Sequence, residues 1–94
     1  MREHGFTLDD DLPKSIQKFI ASRDRKTQAA IFEAFDAICH SPFHHSAPRR
    51  IRRLRGKLNG LLRYQLDDIR IIYRVDVAKH LISIEEVDDR GDIY

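Results

Sequence analysis

Two short alternating runs, residues 61–66 (LLRYQL) and 69–75 (IRIIYRV), are separated only by Asp67-Asp68, and they constrain this chain most. Side chains of a strand point alternately to opposite faces. Two such runs joined by two turn-forming residues predict a β-hairpin. A two-residue turn places Leu66 opposite Ile69, Gln65 opposite Arg70, Tyr64 opposite Ile71 and Arg63 opposite Ile72. Leu62, Tyr64, Leu66, Ile69, Ile71, Tyr73 and Val75 then share one face, which must be core. Arg63, Gln65, Arg70 and Arg74 share the other, a rigid cationic surface suited to an anionic ligand. Asp-Asp is not the favoured pair for a type I′ turn, in which both central residues need φ > 0.

Around this hairpin the chain reads in order. Residues 5–8 predict a short first strand. Three aspartates (Asp9, Asp10, Asp11) and Pro13 suit a helix N-terminus, and Ile16, Phe19 and Ile20 follow at helical spacing, so residues 12–22 predict an amphipathic helix. Asp24 is the expected N-cap of a second helix to about residue 39, with Ile31, Phe35 and Ile38 as its apolar stripe. The linker of about three residues forces a helical hairpin. Ser41-Pro42 ends the second helix, and residues 41–50 form a loop. Gly56 and Gly60 bracket a turn before the hairpin, and residues 81–87 predict a third strand with Ile82 and Ile84 inward. The expected fold is α+β: an N-terminal strand, a helical hairpin, then an antiparallel three-stranded meander (βααβββ), all in one domain spanning residues 1–94.

Net charge is only +2, but its placement is uneven. Residues 1–48 sum to −1, residues 49–75 to +7 and residues 76–94 to −4. Twelve of the 17 basic residues are arginine, whose planar fork binds phosphate through paired donors. A local cationic excess of this kind attracts nucleic acid. The run Arg49, Arg50, Arg52, Arg53, Arg55, Lys57 is therefore a candidate docking surface for RNA or for an acidic protein, with Ile51 and Leu54 as anchors. A chain of 94 residues buries only about 60–65% of its unfolded surface, so a cofactor-sized internal cavity is not expected. The single cysteine, Cys39, excludes an intramolecular disulfide and is expected to be buried rather than nucleophilic. Cys39, His40, His44 and His45 do not have the spacing of a zinc site. No stretch reaches 18 apolar residues, so a soluble, intracellular protein with no membrane association is expected. The plain alternative is that Arg63 and Arg70 are solvated sheet residues paired with Glu85 or Asp67.

Residues 54–94 resemble the RelE/ParE superfamily of bacterial type II toxins, through Leu54-Arg55-Gly56, Arg63-Tyr64-Gln65-Leu66, Ile69-Arg70-Ile71-Ile72-Tyr73 and Arg90-Gly91-Asp92-Ile93-Tyr94. The resemblance implies a cytoplasmic toxin. RelE-like members cut messenger RNA in the ribosomal A site; ParE-like members poison DNA gyrase. The implied partners are a small cognate antitoxin, RelB-like or other, in a hetero-oligomeric complex, and the ribosome with its mRNA. The RelE-like catalytic positions fall on Arg63, Arg70, Arg90 and Tyr94. Gln65 stands where RelE-like members carry lysine, and Asp89 where many carry histidine or lysine. With Gln65 and Arg74, the basic run is the implied surface for RNA and ribosome.

The implied reaction needs no metal and no cofactor. A ribose 2′-hydroxyl attacks the adjacent phosphate, and arginines stabilise the charge that gathers on the phosphoryl oxygens. Arg70 is the first candidate for that role, with Arg63 beside it, Arg90 from the tail and Tyr94 stacking on a base. Arginine does not serve as a general base, because its pKa exceeds about 12. Lys57 and His80 are the nearest alternatives, both in turns. Two other readings stay open: a gyrase inhibitor or a degenerate toxin that only binds its antitoxin, and a plain nucleic-acid-binding module.

Overall fold

The structure is a computed structural model, and it describes residues 5–44, 50–56 and 60–89. The elements are β1 (Thr7–Leu8), α1 (Lys14–Ala21), α2 (Arg25–His40), β2 (Ile51–Arg53), β3 (Leu62–Leu66), β4 (Ile69–Asp76) and β5 (Leu81–Asp89). They form one five-stranded sheet in the order β1-β5-β4-β3-β2. The α+β class and the helical hairpin are as expected, but the sheet differs in two ways. The basic run contributes an extra strand, β2, antiparallel to β3. β1 pairs parallel to β5, so the sheet is mixed, not wholly antiparallel. β2 forms because Ile51 lies opposite Tyr64 and packs against the core while Arg52 points away, a half-buried alternation too short to stand out in sequence.

The β3–β4 register is the expected one: Leu66 faces Ile69, Gln65 faces Arg70, Tyr64 faces Ile71 and Arg63 faces Ile72. Of the turn pair, only Asp67 takes a positive φ, 52°. Gly56 and Gly60 have φ of 68° and 94°, values that favour glycine, and they flank the turn after β2. The Leu54 N–H donates to the Leu61 carbonyl at 3.0 Å, carrying the β2–β3 pairing past the end of β2.

Both helices cover one face of the sheet. Ile16, Ile20, Ile31, Ala34, Phe35 and Ile38 meet Leu62, Tyr64, Ile69, Ile71, Tyr73, Ile82, Ile84 and Val87 in a single cluster. Asp24 caps α2 by accepting from the Thr27 N–H at 2.8 Å, which holds its carboxyl below the usual range. Gln28 Nε2 donates to the Ile20 carbonyl at 2.9 Å and ties the two helices at their corner.

Tyr73 is fully buried, and its hydroxyl donates to the Pro42 carbonyl, tying the loop after α2 to the sheet. Burial, and then the nearby Tyr64, push its phenol far above the ordinary value. Replacing Tyr73 with Phe should cost about 1–3 kcal/mol in urea unfolding at neutral pH, because a buried carbonyl loses its donor. A raised phenol contributes its stability fully below its unfolded pKa of about 10 and loses it as pH rises further. The part of alkaline destabilisation owed to this group should therefore vanish in Tyr73→Phe.

Candidate functional site

The sheet face opposite the helices carries the chemistry, and strand register decides what meets there. One transverse row runs Arg52 on β2, Arg63 on β3, Ile72 on β4 and Glu86 on β5. The next row runs Gln65, Arg70 and Asp88. Arg52 and Arg63 are direct cross-strand partners. Like charges placed so repel each other. Arg52, Arg53, Leu54, Arg55 and Arg63 line one open cleft of about 670 Å³.

The expected all-cationic face is not what the structure shows. β5 brings carboxylates onto this face, as the plain alternative allowed, but with other partners than the Glu85 or Asp67 expected for Arg70. Arg70 Nη2 lies 3.1 Å from Asp88 Oδ2, with both side chains mostly buried. Arg74 is exposed and lies 3.6 Å from Glu85. Positive charge therefore gathers at β2 and β3, and negative charge at β5. The acidic residue that matters on this face is Asp88, not Asp89. Asp89 lies opposite Ile69, on the helix side, 4.0 Å from Arg23.

A β-bulge produces this arrangement. Ile72 pairs with Glu86, but Tyr73 pairs with Ile84, so Glu85 is an extra residue in β5. The bulge lets Ile84 and Val87 both reach the core while Glu85 and Glu86 stay exposed between them. The signal was legible: the inward residues Ile82, Ile84 and Val87 are spaced two and then three apart. The neighbouring Asp88 carboxyl, and then partial burial, hold the Glu86 carboxyl above its ordinary range, with Arg70 pulling the other way.

The remaining sequence candidates divide. Gln65 spends its amide on the hairpin, with Nε2 donating to the carbonyls of Asp67 at 2.6 Å and Ile69 at 3.3 Å. Arg50 lies over the Tyr64 ring at 5.7 Å and Arg53 over the Phe43 ring at 5.5 Å. His80 stacks on Phe6 at 4.6 Å in the β4–β5 turn, and its carbonyl accepts from Thr7 of β1. It stands at the opposite edge of the sheet from β2, so it is no base for the arginine cleft. Cys39 is half-buried, and burial with Asp36 raises its thiol, which disfavours the nucleophilic thiolate. Arg49, Lys57, Arg90 and Tyr94 lie outside the described residues. Among the described residues no helix is long and apolar enough to cross a membrane.

The architecture is that of small bacterial and archaeal toxins. The RelBE2 toxin–antitoxin complex of Mycobacterium tuberculosis contains a chain with TM-score 0.76 and 23% identity, covering 97% of this chain and 98% of that one. The RelE–RelB complex of Pyrococcus horikoshii gives TM-score 0.72 and 24% identity over 94% and 98%. A mutant of the E. coli toxin RelE in the free state gives 0.70 and 15% over 95% and 87%. Comparison with curated protein sequences finds no match. A sequence model described as the ParE toxin of type II toxin–antitoxin system, parDE, matches residues 10–94. The chain belongs to this family, and it is a toxin of the RelE/ParE superfamily of type II toxin–antitoxin systems.

The charge layout is open to test by heparin chromatography. Arg52→Ala and Arg63→Ala should each elute at clearly lower salt than wild type. Asp88→Ala, which releases Arg70, should elute at higher salt.

Proposed function

We propose that this toxin is a ribosome-dependent endoribonuclease that cuts mRNA in the A site and stops translation. The observation that carries this reading is the direct pairing of Arg52 with Arg63 at a cleft also lined by Arg53 and Arg55. Such a cluster is well matched to a phosphodiester. In this reading the RNA backbone lies across β2 and β3. Arg63, with Arg52 beside it, stabilises the charge that develops on the phosphoryl oxygens. Arg70 takes a supporting place, since Asp88 holds its guanidinium. Arg90 and Tyr94 complete the site from the tail, and Arg49, Arg50, Lys57 and Arg74 serve as contacts to ribosomal RNA.

The toxin works in the cytoplasm, held inactive by a small antitoxin. Solved relatives include complexes of RelE with RelB and of YoeB with YefM, which supports such a partner here. A groove of about 350 Å³ along α2, lined by Ala30, Glu33, Ala34, Ala37, Arg50, Tyr64 and Leu66, offers a mixed apolar and charged seat for it.

A second reading is that the chain inhibits DNA gyrase or only binds its antitoxin. The Arg70–Asp88 ion pair favours it, because it offsets a charge that a nuclease would turn on the phosphate.

Purified toxin on ribosomes programmed with a defined mRNA, read by primer extension, separates the two. The nuclease reading expects a ribosome-dependent cut at the A-site codon, slowed about 10²–10³-fold in Arg63→Ala. Uncut mRNA together with loss of gyrase supercoiling activity would establish the second reading instead.

A further inference from the structure

Cleavage through a 2′-hydroxyl needs a group that accepts its proton, and the arginines of the cleft are too basic to serve. None of the five strands contains a histidine or a lysine. His80 stands at the opposite edge of the sheet from β2. The face does hold one exposed carboxylate in line with the arginine pair. Glu86 ends the row Arg52–Arg63–Ile72–Glu86, two strand spacings from Arg63, on the order of 10 Å between Cα atoms. The buried Ile72 stands between them in the row.

The neighbours of Glu86 have separate duties. Asp88 is committed to Arg70 at 3.1 Å. Glu85 lies 3.6 Å from Arg74. The charged groups around Glu86 are thus Glu85 and Asp88 on its own strand, Arg70 and Arg74 on β4, and Arg63 and Arg52 beyond. The bulge at Glu85 keeps Glu86 on this face rather than in the core, and such irregularities are common beside active sites.

We propose that Glu86 is the general base of the cleavage reaction, a role that rests on the nuclease reading above. The Glu86 carboxylate takes the proton of the 2′-hydroxyl as the 2′-oxygen bonds to phosphorus. The bond from phosphorus to the 5′-oxygen breaks, and that oxygen takes a proton from water. The products are a 2′,3′-cyclic phosphate and a free 5′-hydroxyl, and Glu86 returns its proton to solvent. The nearness of Asp88 suits the task, because a carboxylate held above its usual range is the stronger base.

The test is single-turnover cleavage on programmed ribosomes across a pH series, with wild type, Glu86→Gln, Glu86→His and Glu85→Gln. Wild-type rate should rise with pH as Glu86 loses its proton and then level off. Glu86→Gln should be slowed about 100-fold or more and lose that rise. Glu86→His should keep activity, with the rise moved toward the histidine range of about 6.5. Glu85→Gln, altered at the next residue of the same bulge, should match wild type, which controls for damage to the strand. A Glu86→Gln rate within threefold of wild type, with the same pH profile, overturns the proposal and leaves the nuclease reading standing. An unchanged pH profile in Glu86→His overturns it as well. A wild-type toxin that cuts nothing at any pH removes both.

Discussion

The antiparallel register between β3 and β4 is the constraint on which the rest depends. It puts Leu62, Tyr64, Ile69, Ile71 and Tyr73 under the helices, each buried to below a tenth of its surface. Burial of a large apolar side chain contributes about 1.5–3 kcal/mol. A slip by one residue would exchange these for Arg63, Gln65 and Arg70, and every unpaired buried charge costs several kcal/mol. Both terms favour the same register, so the hairpin tolerates a turn pair in which only Asp67 takes a positive φ. The display of Arg63 on the outer face follows from the same geometry that builds the core.

Additions at the two flanks of this hairpin give the outer face its character. On one flank β2 adds Arg52 directly opposite Arg63. On the other, β5 adds Glu86 and Asp88. The result is a charge gradient across four strands, basic at the β2 edge and acidic at β5. On the acidic side Asp88 holds Arg70 in place. A uniformly basic face would bind an anion more tightly but would have no group to take a proton. In the nuclease reading proposed above, the mixed face supplies both the anion-binding groups and the group that takes a proton.

Much of the fold was legible because its signals are local. Alternation in residues 61–75 specified the hairpin, Asp24 marked the start of α2, and Gly56 and Gly60 marked two positions of positive φ. β2 was harder to see, since three residues with one inward isoleucine are not a pattern until β3 lies beside them. The parallel pairing of β1 with β5 joins residues more than 70 positions apart, and no local spacing records it. The candidate site was half legible. Arg63 was placed on the outer face by alternation, whereas Asp88 and Glu86 were missed because β5 was read without its bulge, although the spacing from Ile84 to Val87 carried the sign of it.

By itself the sequence determined which residues are inward on the two helices and on β3 and β4, about where the helices begin, and the β3–β4 register, because these depend on neighbours within a few positions. Only the tertiary structure decided which charges meet. Arg70 is as basic as Arg63 in sequence and lies on the same face, yet register sets Arg70 opposite Asp88 and Arg63 opposite Arg52. That difference is electrostatic, and it depends on distances across strands that the order of residues does not state.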